Sequence, residues 1–192
     1  MPERNDAALA FLLSRRSRPA KTLQLPVPTR DQLLPLLTAA ARTPDHGKLE
    51  PWRFVVLERP ALARLAELAE ARATAAGRSP EQIAKDRSQY DQGLLAVAVI
   101  ESPKPSDKVP PLEQTYSAGA ACLALLNAAL AAGWGANWLS GWASTDPEFR
   151  AIGLGLQPQE RVAGIVHIAT ETVAAPERPR PDLDQVVTWI SD

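Results

Sequence analysis

Two adjacent arginines and a hydroxyl, Arg15-Arg16-Ser17, close the first apolar segment of the chain, and Arg42 and His46 follow at the end of the second. Guanidinium groups grip a phosphate dianion through charge-assisted, often bidentate hydrogen bonds, and a serine hydroxyl adds one more. A single arginine reads as part of a solvated face, whereas an adjacent pair with a hydroxyl reads equally well as a clamp for a small anion. No rival phosphate device stands elsewhere. Gly153-Leu154-Gly155 lacks the third glycine of a dinucleotide fingerprint and follows a helix, and there is no P-loop pattern. His46, between Pro44 and Gly47, is either a plain turn histidine or a hydrogen-bond donor to a ring edge or a phosphate.

Other chemistry is scarce. Trp134, Trp138 and Trp142 recur every fourth residue among Gly133, Gly135 and Gly141, an even spacing that places all three on one face of an extended strand. They serve either as core packing or as a wall against a flat heterocycle, with the amides of Leu139 and Ser140 free to bond it. Cys122 is the only cysteine, which excludes an internal disulfide and a thiolate metal site. The only histidines are His46 and His167, too few for a histidine metal centre, and His167 reads as a satisfied core or edge residue.

These groups need a scaffold. The chain of 192 residues suits one domain, and 21 basic against 22 acidic residues give no general pull toward nucleic acid or an anionic membrane. The charge is uneven: Arg4, Arg15, Arg16, Arg18, Lys21 and Arg30 face only Glu3 and Asp6 over the first thirty residues. Residues 117–136 lack charge over about a bilayer's width, but their alanine content, with Asn127, Gly133 and Gly135, predicts a buried central helix. No basic-then-apolar signal opens the chain, so a cytoplasmic setting is expected.

Periodicity predicts helices over residues 6–14, 30–42, 61–76 and 80–90, a long one over 112–132, and a short one over 146–152. Thr29-x-x-Gln32 and Ser79-x-x-Gln82 have capping-box spacing. Strands are predicted over 52–57, 94–100, 162–169 and 186–190, with 134–141 extended, and residues 102–111, carrying four prolines, form a loop. The expected class is α+β around one long hydrophobic helix, with the last strand beyond a proline-rich arm able to reach a partner's sheet.

Taken in order, Arg15-Arg16-Ser17, Arg42-Thr43-Pro44-Asp45-His46 with Pro51-Trp52-Arg53-Phe54, Lys108-Val109-Pro110 to Gln114 with Ser117-Ala118-Gly119, and Trp138-Leu139-Ser140-Gly141 resemble the nitroreductase family, in particular its compact YdjA-like branch. The similarity runs from about residue 8 to 190. It implies a single FMN-binding domain over 1–192, with a mostly antiparallel sheet flanked by helices. It also implies an intertwined homodimer in which residues 174–192 are an arm on the partner subunit and two FMN molecules lie at the interface. Carried over by position, Arg15, Arg16 and Ser17 would hold the phosphate and ribityl end. Arg42 and His46 would bind the same cofactor, and Trp138, Leu139 and Ser140 would lie along the flavin. Ala128, Ala129, Leu130, Ala131, Ala132 and Gly133 match a segment assigned to the nicotinamide nucleotide. The implied activity is ping-pong reduction of nitroaromatics, quinones or related electrophiles by NADH or NADPH, with the chemistry on flavin N5 and no catalytic side chain or metal. Two departures stand out. Leu139 occupies a position often held by arginine in the branch, and Pro111-Leu112 replaces a Pro-Arg-Trp-like sequence. They leave open an alternative, a flavin-binding or flavin-sequestering protein without physiological turnover.

Overall fold

The computed structural model describes residues 3–191, so residues 1, 2 and 192 of the expected domain lie outside the described residues. Both capping boxes form. Gln32 N–H donates to Thr29 Oγ1 and Thr29 N–H to Gln32 Oε1, opening α2 (Arg30–Ala40) after α1 (Asp6–Ser14). Ser79 and Gln82 repeat the exchange at the start of α4 (Pro80–Asp91), which follows α3 (Arg59–Ala75). Proline at the first helical turn, where its missing N–H costs nothing, opens α5 (Pro111–Ala131), the long helix.

The strands are β1 (Leu23–Gln24), β2 (Trp52–Glu58), β3 (Leu95–Glu101), β4 (Gly135–Leu139) and β5 (Arg161–Glu171). All pairings are antiparallel: β5 has β3 on one edge and β4 on the other, β2 lies outside β3, and β1 takes the last two residues of β5. Alternation along β3 divides the core in two. Leu95, Val97 and Val99 face α2 and α5, where they meet Leu33, Leu36, Ala121, Cys122 and Leu125. Ala96, Ala98 and Ile100 face α3 and α4, against Leu62, Leu65, Tyr90 and Phe149. Alanines on that face, and Ala118, Ala121 and Cys122 on α5, let helix and sheet approach closely. The expected α+β architecture with a buried long helix is therefore observed.

Three local expectations need correction. β4 stops at Leu139, and Trp142 lies beyond it in the 3₁₀ turn Trp142–Thr145, stacked under the Arg78 guanidinium at 4.7 Å. The three tryptophans thus do not share one face, because Ser140 and Gly141 turn Trp142 away from the sheet. The helix expected over 146–152 is centred on one wide π turn, Phe149–Gly153. Residues 186–190 form no strand: Asp182 caps the single turn α6 (Leu183–Val186), and the residues after it run out exposed, with Trp189 91% exposed. A strand needs a neighbouring edge to satisfy its backbone, and within one chain this segment reaches none.

Candidate functional site

The turn after α1 is stitched to the sheet before any ligand is considered. Arg18 N–H donates to Ala136 O at 2.8 Å, and Asn137 Nδ2 returns a bond to Arg18 O at 2.7 Å. These two bonds fix Arg15-Arg16-Ser17 beside the start of β4. Arg15 Nη2 donates to Ser17 Oγ at 3.1 Å, Arg18 Nη1 to Arg16 O at 3.0 Å, and Arg16 Nη1 to Glu177 Oε1 at 2.9 Å. Arg180, far along the proline-rich arm, shares that Glu177 oxygen at 3.0 Å. Arg18 Nε lies 2.5 Å from Glu171 Oε2, an ion contact whose N–H is not directed at the oxygen.

Three guanidinium groups thus meet two carboxylates, with Arg15 beside them paired only to Ser17. Burial, and then the charges of Arg180, Arg16 and Arg18, push the Arg15 pKa below its ordinary value. Arginine nevertheless stays protonated in proteins, so the crowding persists as positive charge and is not relieved by proton loss. Arg15 Nε is enclosed and has no acceptor. An unmet charged donor inside a surplus of positive charge fits a phosphate dianion.

Next to this cluster a cleft of about 330 Å³ opens between β4 and α4. Asn137, Leu139 and Ser140 form one side, Lys85, Ser88, Gln89 and Gln92 the other, and Pro19, Ala20 and Lys21 the rim. Gln89 Nε2 is enclosed without an acceptor, and its Oε1 lies against Gly141, where an added Cβ would fall 2.1 Å from it. Gly141 is extended at φ −149, so here glycine supplies room and not a special dihedral. A donor with no acceptor on the wall of this cleft suits a heterocycle bearing ring carbonyls or nitrogens.

The predicted side chains do not all meet. Leu139 and Ser140 line the cleft, whereas Trp138 points to the opposite face of the sheet and lies flat on Gly164, with its Nε1 1.9 Å from where a Cβ there would stand. Arg42 is exposed beyond the end of α2. His46 occupies a turn next to the first residues of α5, where Ser117 Oγ donates to Pro44 O at 2.8 Å and His46 Nδ1 lies 2.6 Å from Glu113 Oε2. Ser117 and Ala131, where α5 gives way to the β4 connection, are about 20 Å apart along the helix axis. Arg15–Ser17 and His46 therefore stand toward opposite ends of α5 in one chain. Ala128, Ala129, Leu130 and Ala131 form the last turn of α5, Ala132 caps it and Gly133 leaves it at φ +85; Ala129 is core, while Ala131, Ala132 and Gly133 are exposed.

Arg180, Asn137 and Gln89 were invisible to motif reading. Arg180 pairs with Glu177, which Arg16 holds across 161 residues of chain, and an isolated glutamine on a polar helix carries no signal. Cys122 is fully buried and its thiol is pushed up to about 12 by desolvation, an inert packing residue. His167 is buried as expected but not satisfied: neither ring nitrogen has a partner, and desolvation lowers its pKa to about 4.

The chain is similar in sequence and in fold to known proteins. The family model described as the nitroreductase family matches residues 12–170. A protein of Escherichia coli strain K12, named as a candidate NAD(P)H nitroreductase, YdjA, is 36% identical over 168 residues, which cover 88% of this chain and 90% of that one. Among solved structures, a nitroreductase-like family protein of Bacillus cereus superposes with a TM-score of 0.77 at 23% identity, covering 99% of this chain and 98% of the other. A nitroreductase with bound FMN from Bacteroides fragilis gives 0.74 at 21% identity, over 98% and 100%. The match to the family model over most of its length and the identity to the E. coli protein settle the assignment: this chain belongs to the nitroreductase family.

Proposed function

We propose that this protein is an FMN-dependent NAD(P)H oxidoreductase that reduces nitroaromatics, quinones or related electrophiles by ping-pong exchange. The observation that carries the reading is the guanidinium cluster of Arg15, Arg16, Arg18 and Arg180, with its unmet Arg15 donor, held beside a cleft of about 330 Å³. Its charge and donors fit the phosphate end of FMN, and Leu139, Ser140 and Gln89 fit the ring. Bound flavin supplies hydride acceptance and donation at N5. The chain's own part is to anchor the phosphate, to offer amide donors to the ring edge, and to hold donor and acceptor in turn against it.

The same reading makes the protein a homodimer. α1 buries none of its residues in the single chain, leaving Leu9, Leu12 and Leu13 at 44–73% exposure. Val186, Val187, Trp189 and Ile190 are likewise exposed at the other terminus. Apolar helices and tails of this kind signal an interface. The outer edge of β2 is unpaired among the described residues, and beside it runs an apolar groove of about 540 Å³ bordered by Leu34, Leu37 and Val56, suited to a partner's terminal segment. A dimer would also bring the His46 turn of one protomer to the arginine cluster of its partner, which one chain keeps apart.

Purified protein is expected to be yellow and to bleach anaerobically on addition of NADH or NADPH. A colourless protein that cannot be reconstituted with FMN contradicts the proposal, and a yellow one that stays oxidised with both nucleotides supports flavin sequestration instead.

A further inference from the structure

The turn that presents His46 is held far more firmly than an exposed loop requires. Lys48 and Glu50 both adopt left-handed backbone conformations, at φ 54 and φ 49, a region that side chains other than glycine occupy only under constraint. The constraints are visible. Asp45 Oδ2 accepts Glu50 N–H at 2.6 Å, Ser117 Oγ donates to Pro44 O at 2.8 Å, and Trp52 Nε1 donates to Ser117 Oγ at 3.1 Å. Gly47, at φ +76, sits so close to Val109 that a Cβ would meet it at 3.2 Å. None of these bonds involves His46 itself. The ring is 60% exposed, and its one hydrogen bond is the 2.6 Å contact from Nδ1 to Glu113 Oε2 on the first turn of α5.

An ion pair or hydrogen bond this exposed contributes little to stability, so holding the fold is not what distinguishes Glu113. Its effect falls on the ring. A carboxylate only accepts, so the proton sits on Nδ1, and in the neutral imidazole Nε2 is then a bare acceptor. We propose that Glu113 is a positioning residue: it fixes His46 as the Nδ1–H tautomer and so offers Nε2 to a hydrogen-bond donor of the cofactor, a ribityl hydroxyl or the imide N–H of the ring. The inference rests on the FMN reading above. It assigns His46 to a donor group of FMN and leaves the phosphate to the arginines.

Fluorescence titration of the apo dimer with FMN tests it. Glu113→Ala weakens binding about three- to tenfold, the usual range for one neutral hydrogen bond. Glu113→Gln, which keeps a carbonyl oxygen opposite Nδ1, binds nearly as wild type. In a His46→Ala background Glu113→Ala has no further effect. Repeating the set with lumiflavin, which lacks the ribityl chain, separates the two donors: the His46 effect persists for the imide and vanishes for a hydroxyl. A readout free of cofactor comes from ¹⁵N spectra of the imidazoles at pH 8, simplified because His167 is the only other histidine. They should report Nδ1–H for His46 in the wild type and the ordinary Nε2–H form in Glu113→Ala. An Nε2–H wild type, or equal losses from Glu113→Ala with and without His46, overturns the role of Glu113 alone. FMN affinity unchanged in His46→Ala overturns the cofactor contact of His46 as well.

Discussion

Arg15 is the side chain on which the proposed anion site turns, because it is half-buried among three other arginines and keeps one donor unmet. Removing it together with Arg16 is expected to weaken FMN retention by about 1.5–3 kcal/mol for each charged hydrogen bond lost, measured as the dissociation constant of the apo protein. Unchanged affinity in the double variant would remove the clamp assignment. Adjacency made this pair legible in the sequence. Arg180 and Gln89 were not, since both reach the site only through tertiary folding. His46 was legible as a candidate, but its commitment to Glu113 depends on α5 beginning 65 residues later at the same place.

Helices with reciprocal caps were readable almost to the residue, because Thr29, Ser79 and their glutamines settle the ends locally. Buried strands were readable from apolar runs. The failures lie where a segment's state is decided by something distant. The even spacing of the tryptophans suggested one continuous strand, yet its partner β5 pairs only as far as Leu139. Gly164 on β5 carries the consequence: the Trp138 ring lies where a methyl would stand, so Gly164→Ala must lift the indole off the sheet. It should lower stability by about 1–3 kcal/mol in urea unfolding. A midpoint equal to wild type would show that Trp138 repacks freely and is no fixed part of that face of the sheet.

For the molecule as a whole, the exposed apolar surfaces of α1 and the C-terminal segment predict a dimer whose last residues belong to the partner. Deleting residues 182–192 should shift sedimentation toward monomer, and an intact dimer after truncation would contradict the exchange. Stability should also depend on pH through His167, buried and unpartnered. Its pKa is about 4 folded, against an ordinary value of 6.5, because burial disfavours the charged ring. The unfolded chain therefore binds the proton first, and stability falls as pH drops from about 6.5 toward 4, by about 2 kcal/mol between pH 7 and pH 5. Glu160 adds a second loss at lower pH. Its hydrogen bonds from Arg53 hold its carboxyl at about 2, so its contribution is complete above the ordinary carboxylate range and disappears as pH falls toward 2. Denaturant unfolding at pH 7 and 5 should show the first change in the wild type and little of it in His167→Leu.

On the proposed reading, guanidinium groups at the end of α1 anchor a phosphorylated flavin at a subunit boundary. A crystal structure of the protein grown with FMN tests it most directly. The account predicts the phosphate within hydrogen-bond distance of Arg15 or Arg16, the ring against Leu139 and Ser140, and residues of both protomers around it. Arginines turned to bulk solvent, with the flavin absent or bound away from any subunit boundary, would contradict it.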